Sequence, residues 1–211
     1  MRKLFLPLLV LIVFACKKAP DKPVERKDSI IHYKSEEKAQ VQPEMSKKEV
    51  LKQANNEILH ALKNKNYVKF SEFIHPEKGV RFSMYAFVDP KGDKQFSRAD
   101  FQRYFPTKTL FTWGMMDGSG DPYKATVNEY FEKWVFSKDF TASQYSFNIF
   151  QGSGNSLNNL KEIYPKADFT ENYIKGTEKY GEMDWKTLRF VFEEFQGKYY
   201  LIGVINDQWT V

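Results

Sequence analysis

The clearest alternation of hydrophobic and polar positions lies at the C-terminal end of the chain. Residues 185–195 and 198–207 each alternate, and the Gln196-Gly197 pair between them is typical of a two-residue β-turn. A one-residue slip would turn every side chain to the other face, so the apolar positions select one register. The pattern predicts a β-hairpin whose apolar face consists of Leu188, Phe190, Phe192, Leu201 and Ile205.

This register also places charged and aromatic residues at the open end of the hairpin. Phe192 is expected opposite Leu201, and counting towards the open end puts Lys186 opposite Asp207. Directly opposed side chains on one face are close enough for an ion pair. Trp209 follows two residues later, so we expect a ligand entrance at this edge of the sheet.

Helical spacing of apolar residues dominates the first part of the region 45–211. Ser46-Lys47-Lys48-Glu49 has the pattern of a capping box, and the apolar positions behind it predict a helix over residues 47–63. The same criteria predict, in chain order, helix 66–74, strand 80–84, helix 97–104, strand 109–113, helix 126–136, strand 144–150, helix 157–164 and strand 167–174. We therefore expect a single α+β domain in which N-terminal helices pack on a bent antiparallel sheet that ends in the hairpin.

The first sixteen residues follow a different pattern. Met1-Arg2-Lys3 is basic, and residues 4–15 are uncharged and too few to cross about 30 Å of hydrocarbon as a helix. The only cysteine of the chain, Cys16, comes directly after them. Val13-Phe14-Ala15-Cys16 resembles the signal-peptide cleavage motif of bacterial lipoproteins.

The lipoprotein resemblance has consequences for location. It implies that residues 1–15 are a cleaved signal peptide and that Cys16 carries a lipid with fatty acyl chains such as palmitate. It also implies a place in the cell envelope, with the membrane as a partner through this lipid. Lys17 after the cysteine implies the outer membrane, facing the periplasm or the cell surface, where a cell has two membranes.

Residues 16–44 are expected to connect the lipid to the domain. Residues 17–44 contain three prolines and thirteen charged side chains without periodicity, a composition typical of a flexible tether. Within them, Ile30-Ile31-His32-Tyr33 is apolar enough to dock as a short strand. The expected boundaries are therefore 1–15 for the signal peptide, 16–44 for the tether and 45–211 for the globular domain.

Composition and charge narrow the classes of function. The chain has 19 Phe, 12 Tyr and 4 Trp, which is ample material for a hydrophobic core. Its net charge is +5, but residues 45–211 carry 23 basic and 21 acidic side chains with both signs interspersed. A domain so nearly neutral lacks the electrostatic footprint of a nucleic-acid-binding protein. We therefore expect no nucleic-acid partner.

Three patterns in the sequence resemble sites for a metal or a cofactor but lack essential residues. The loop 117–121 offers oxygen ligands at alternate positions, but the glycine and glutamate of a calcium-binding EF-hand are missing. Gly152-Ser153-Gly154 lacks the further glycine and the lysine of phosphate-binding loops. The histidines at 32, 60 and 75 do not stand at metal-ligand spacing. The sequence therefore predicts neither a metal nor a cofactor.

The order of elements over residues 47–211 resembles the nuclear-transport-factor-like, or polyketide-cyclase-like, fold of the wider cystatin-like group. The resemblance rests on the N-terminal helix and the long C-terminal hairpin. It implies a bent sheet that wraps the helix and encloses a cone-shaped cavity. Proteins with this fold include enzymes, transport adaptors and binding modules, so the fold alone does not select a function.

Two functions remain open at the level of sequence. The first is a non-catalytic, lipid-anchored envelope protein that binds an envelope protein or a small ligand, or supports an envelope assembly. The alternative is an enzyme of the cavity-bearing fold that acts on a small apolar or carbohydrate substrate, with His75, Arg81 or Asp207 as acid/base groups. The residues proposed for the pocket rim are His75, Arg81, Trp113, Lys186, Asp207 and Trp209.

Overall fold

The computed structural model describes residues 45–210, which form one compact α+β unit, so the predicted fold class is confirmed. The α-helices are α1 (Lys47–Lys63), α2 (Tyr67–Glu72), α3 (Arg98–Tyr104), α4 (Val127–Tyr130) and α5 (Leu160–Ile163), and a π-helical segment, Phe131–Val135, continues α4. The strands are β1 (Val80–Ser83), β2 (Lys94–Phe96), β3 (Phe111–Met115), β4 (Pro122–Ala125), β5 (Gln144–Phe147), β6 (Asp168–Ile174), β7 (Lys186–Phe195) and β8 (Lys198–Gln208). Within residues 45–210, no helix is both long enough and apolar enough to span a bilayer.

Helix α1 begins and ends where its capping residues predict. The side chain of Ser46 accepts a hydrogen bond from the amide of Glu49, and the Glu49 carboxylate accepts one from the amide of Ser46. This reciprocal pair satisfies two of the amides that the first helical turn leaves free. One face of the helix, which includes Leu51, Ile58 and Leu62, is fully buried against the sheet side of the domain.

The main sheet has six strands in the order β2-β1-β8-β7-β6-β5. Four of its five strand pairs are antiparallel, but β1 runs parallel to β8. The direction of β1 is set just before the strand begins. There the amide of His75 donates to the carbonyl of Leu201 and the amide of Leu201 donates to the carbonyl of Phe73. The chain therefore enters β1 already parallel to β8, and the sheet is mixed.

The C-terminal hairpin has the predicted turn. Gln196 and Gly197 both have positive φ, 51° and 74°, as a type I′ turn requires. The predicted pairing holds from this turn to Phe192 and Leu201. Beyond them, Ile202 is an extra residue in β8 that forms a β-bulge.

The bulge shifts the remaining pairs by one residue relative to the prediction. Lys186 lies opposite Gln208 rather than Asp207, and Asp207 lies opposite Thr187. Because the side-chain period of a strand is two, the shift moves Ile205 to the other face of the sheet. The predicted pair Lys186–Asp207 and the predicted place of Ile205 on the face of Leu188 are therefore wrong.

Each face of the sheet packs against its own hydrophobic cluster. The first face, towards the helices, includes Leu188, Phe190, Phe192, Leu201 and Val204. The second face, towards α5 and the loop before it, includes Phe169, Val191, Ile202 and Ile205. Between the helices and the first face, where the fold resemblance implies a cavity, aromatic rings are packed edge to face or stacked. Trp113 and Tyr130, for example, are parallel with their centroids 3.7 Å apart.

Candidate binding site

The six residues that were predicted to share a pocket rim are dispersed in the structure. Trp113 is fully buried, donates its indole N–H to the carbonyl of Ala125 and belongs to the first hydrophobic cluster. His75 is also buried, and its Nδ1 accepts hydrogen bonds from the amides of Glu77 and Lys78. Burial lowers the pKa of His75, which favours the neutral ring that this acceptor role needs. Both residues are structural rather than exposed to a ligand.

Lys186 and Asp207 form no ion pair with each other, because the bulge puts them on opposite faces of the sheet. The ammonium of Lys186 donates to the hydroxyl of Ser137 at 2.9 Å, whereas Asp207 pairs with the guanidinium of Arg189 at 3.0 Å. The predicted ligand entrance at this edge of the hairpin is therefore wrong. Trp209 is 42 % exposed and lines a separate small cavity of about 240 Å³.

Arg81 lies in a large surface groove, about 570 Å³, on the second face of the sheet. Its Nη1 donates to the carbonyls of Pro90 and Asp93 at 3.0 and 3.3 Å, and its Nη2 donates to Oε1 of Gln95 at 2.6 Å. The groove itself is lined by charges of both signs, Lys78, Arg81, Lys166, Glu162 and Glu193. Arg81 therefore holds the loop 89–93 in place instead of acting as an acid or base.

A second cavity lies at that loop, and sequence patterns did not predict it. Its volume is about 330 Å³. We call it the acidic cleft and define it by its lining residues Met84, Tyr85, Phe87, Asp89, Gly92, Asp93, Thr112, Gly114 and Met115. The cleft lies between the segment that follows β1 and the strand β3, so it is formed by parts of the chain about 25 residues apart.

Asp93 is the most buried carboxylate of the acidic cleft. Its Oδ2 accepts hydrogen bonds from the hydroxyl of Ser83 and, at 2.9 Å, from the amide of Asp89. Burial, opposed by these two hydrogen bonds and by Arg81, raises the pKa of Asp93 to about 6. A carboxyl group that titrates near neutral pH in a cleft is a feature of functional sites.

Asp89 differs from Asp93 although both line the acidic cleft. Asp89 is exposed, and its Oδ1 accepts a hydrogen bond from the amide of Lys91 at 2.9 Å. Hydrogen bonds from the amides of Lys91 and Gly92 hold the pKa of Asp89 below its ordinary value. One carboxylate of the cleft is thus ionised throughout the physiological range, while the other gains or loses its charge within it.

The other walls of the acidic cleft are apolar. Phe87 and Met115 are 49 % and 61 % exposed, high values for such large apolar side chains, while Met84 is buried below them. Tyr85 is held in place because its hydroxyl accepts from the amide of Asp117 at 3.0 Å. Its ring also packs edge to face against Trp134. The cleft therefore combines two carboxylates with aromatic rings and thioether groups.

Gly114 keeps the cleft open at its β3 side. A Cβ atom at this position would lie 3.0 Å from the sulfur of Met84, closer than such contacts normally come. The pairing of β3 with β4 is irregular between Thr112 and Gly114, so the backbone of β3 bends where it meets the cleft. The loop 117–121 is the turn of this β3–β4 hairpin.

The sequence contained a partial signal for the acidic cleft. Asp89-Pro90-Lys91-Gly92-Asp93 has the local composition of a turn, because Asp, Pro and Gly are common turn residues. Two acidic residues in a turn that follows Tyr85 and Phe87 are compatible with a site. That β3 packs against this turn is a tertiary contact, which no local pattern reports.

Comparison with known proteins adds no homologue to this picture. No protein-family model matches the chain, and no curated protein matches it at a significant level. Within residues 45–210, no group of three or more His, Cys, Asp or Glu side chains is arranged to hold a metal ion. Cys16, the predicted signal peptide 1–15, the tether 16–44 and its apolar stretch Ile30 to Tyr33 lie outside the described residues.

Proposed function

We propose that this protein is a lipid-anchored protein of the cell envelope whose globular domain is a non-catalytic binding module, with the acidic cleft as its ligand site. The anchor rests on the resemblance of Val13-Phe14-Ala15-Cys16 to the lipoprotein motif. In a cell with two membranes, the domain would face the periplasm or the cell surface from the outer membrane. The ligand would be a small molecule or a group on an envelope protein.

The pre-organised walls of the acidic cleft are the observation that carries this proposal. Arg81 fixes the loop 89–93 from behind, and Ser83 orients Asp93. Asp117 holds Tyr85, and Gly114 leaves space beside Met84. Ligand sites are typically concave, mostly apolar and largely preformed, with a few placed polar groups that set specificity. The acidic cleft has these properties.

One observation favours the alternative, an enzyme with the acidic cleft as its active site. A carboxyl group with a pKa of about 6, as in Asp93, can act as a general acid or base near neutral pH. The groups that were expected to perform this role, His75, Arg81 and Asp207, do not line a common cavity. Asp93 is thus the residue on which the enzymatic alternative depends.

The lipid anchor is tested with the Cys16→Ser variant of the full chain. We expect wild-type protein to incorporate a fatty-acid analogue and to sediment with membranes, and the variant to do neither, because the acceptor thiol is lost. Equal incorporation of the analogue into both proteins would show that the lipid is not on Cys16. The lipoprotein proposal would then be wrong.

The ligand site is tested by comparing what co-purifies with the lipidated full chain from native membranes. Asp89→Asn combined with Asp93→Asn alters the acidic cleft, and Glu162→Gln combined with Glu193→Gln makes the same charge change in the large groove. We expect one bound species, identified by mass spectrometry, to be retained by wild type and the groove variant and lost by the cleft variant. Equal retention by all three proteins would rule out the cleft as the ligand site.

A further inference from the structure

The charge of the acidic cleft is one-sided. Its nine lining residues include two carboxylates and no basic side chain, in a domain whose basic and acidic residues are nearly balanced. From outside the lining, the guanidinium of Arg81 acts on both carboxylates and the ammonium of Lys91 acts on Asp89, while Arg81 itself is hydrogen-bonded to carbonyl oxygens and Gln95. A low-dielectric cleft lined by one sign of charge concentrates ligands of the opposite sign. This asymmetry selects for a cation.

The apolar walls decide which kind of cation the cleft suits. Calcium takes six to eight oxygen ligands, whereas the side-chain oxygens of this cleft are the carboxylates of Asp89 and Asp93 and the hydroxyls of Tyr85 and Thr112, beside carbon and sulfur atoms. Tyr85 and Phe87 provide aromatic rings, whose faces attract organic ammonium ions. Met84 and Met115 provide polarisable thioethers that adapt to apolar substituents. An ammonium group that carries alkyl substituents can pair with the carboxylates and pack against the aromatic and thioether side chains.

The size of the cleft limits the ligand further. A volume of about 330 Å³ lies at the lower end of the range for small-molecule sites. It accommodates a single ammonium group with short alkyl substituents better than an oligosaccharide or a folded peptide segment. Phe87 and Met115, which line the cleft and are exposed, offer apolar surface to such a ligand.

We propose that the acidic cleft binds organic ammonium ions, with Asp89 and Asp93 neutralising the charge and Tyr85 and Phe87 contacting the alkyl groups on nitrogen. This inference rests on the proposed function, because it names the ligand class of the same site. Such a cleft would distinguish ligands by their charge. A neutral molecule of identical shape keeps the apolar contacts but loses both the attraction to the carboxylates and the cation–π contact.

The carboxylates also make the affinity depend on pH. The charged or titratable groups around Asp93 are Arg81, Asp89, Tyr130 and Tyr164. Burial raises the pKa of both tyrosines, which keeps them neutral, and Asp89 stays ionised. Between pH 5 and 8, Asp93 is therefore the group that changes its charge. Cation affinity should fall as the pH decreases through about 6.

The experiment measures binding of two probes to the lipidated full chain in detergent micelles by titration calorimetry. Choline is the cationic probe, and 3,3-dimethylbutan-1-ol is its neutral isostere, with carbon in place of nitrogen. We expect choline to bind and the isostere to bind at least about tenfold more weakly, which corresponds to 1.4 kcal/mol. Equal affinity for both probes would overturn the ammonium inference while leaving the cleft as a binding site.

Variants assign the effect to the acidic cleft. Asp93→Asn keeps the size of the side chain and should weaken choline binding about tenfold and remove its pH dependence. Asp89→Asn, at an exposed position, provides a second test if Asp93→Asn folds poorly, and Phe87→Leu should weaken binding a few-fold through loss of the ring. The groove variant Glu162→Gln with Glu193→Gln should bind choline like wild type.

Two results would separate this inference from the proposed function. If a species that co-purifies depends on the cleft but choline does not bind, the ammonium inference is wrong and the proposed ligand site stands. If choline binds wild type and all cleft variants equally, binding occurs elsewhere and the inference is wrong. Absence of choline binding together with cleft-independent co-purification contradicts both proposals.

Discussion

Three consecutive residues of β6 contribute to two very different buried networks. Thr170 and Asn172 point to the first face of the sheet and contact Asn55 of α1, whereas Glu171 between them points to the second face and contacts Arg189. All of these side chains are almost completely buried. The strand thus joins a neutral network on one face to a charged network on the other.

The neutral network is fully hydrogen-bonded within the protein. The amides of Asn55 and Asn172 donate to each other's oxygen, both at 2.9 Å, and the hydroxyl of Thr170 donates to Oδ1 of Asn55 at 2.7 Å. A further hydrogen bond from Asn172 reaches the carbonyl of Leu188. The network fixes α1 against the centre of β6 and requires no charge, so its stability should not depend on pH.

The charged network holds a loop instead of a helix. Arg189 pairs with Glu171 at 2.5 Å and with Asp207 at 3.0 Å, and also donates to the carbonyl of Gly152. The other oxygen of Glu171 accepts from the amides of Gln151 and Gly152. Two carboxylates therefore share one guanidinium. Nη1 of Arg189 and Oδ1 of Asp207 have no hydrogen-bond partner in this cluster.

Strand β6 tolerates buried polar residues on both faces, but the free-energy cost of burying them differs between the faces. Buried amides that pair with each other satisfy all of their donors and acceptors. A buried cluster with an excess negative charge depends on its one cation, because unpaired charges are costly to remove from water. We expect the second face to be the more sensitive to substitution and to pH.

The largest effect is expected for Arg189→Met, which leaves Glu171 and Asp207 buried without a cation. The free energy of unfolding should decrease by about 3–5 kcal/mol, as for other buried ion pairs that lose one partner. Urea denaturation measures it. Adding Glu171→Gln and Asp207→Asn to this variant should restore much of the loss, because both charges are removed. A loss that is unchanged in the triple variant would show that packing, not charge, is responsible.

A smaller effect is expected for Asn55→Ala, which leaves Thr170 and Asn172 with unpaired polar groups. The free energy of unfolding should decrease by about 1–3 kcal/mol. The matched control is Lys47→Ala, which removes the partly exposed ion pair of Lys47 with Asp168, another contact of α1 with β6. Its effect should be smaller than that of Asn55→Ala, because solvent screens an exposed ion pair. Equal losses in both variants would contradict the importance assigned to the buried network.

The smallest effect on the free energy of unfolding is expected from the titration of Asp207, which makes this free energy depend on pH. Burial raises the pKa of Asp207 from 3.8, and Arg189 only partly opposes this shift. Because the folded protein holds the proton more tightly than the unfolded chain, the stabilising contribution is present at low pH. It is lost as the pH rises through the folded pKa.

The side chain of Asp207→Asn does not titrate, so comparison with this variant isolates the contribution of the Asp207 carboxyl to the pH dependence of stability. The stability of wild type minus that of Asp207→Asn should decrease between pH 4 and neutral pH, measured by urea denaturation. Asp93, whose pKa is also raised, contributes equally to both proteins and cancels in the difference. A difference that stays constant or increases with pH would contradict the raised pKa of Asp207.

Local sequence patterns predicted the parts of the fold that local contacts stabilise. The bounds of α1 were correct because Ser46 and Glu49 are three residues apart and cap each other within one turn. The hairpin turn was correct because glutamine and glycine at 196 and 197 can both adopt the positive φ that a type I′ turn needs. The α+β class followed from these elements and the order in which they occur.

Tertiary contacts decided what these patterns could not. The bulge at Ile202 turns Asp207 away from Lys186 and towards Arg189. Alternation alone did not reveal the extra residue, because both faces of the hairpin bury apolar residues. The short strands β2 and β4 were missed because three or four residues carry too little periodicity. The acidic cleft exists only because β3 meets the loop 89–93, a contact between distant parts of the chain.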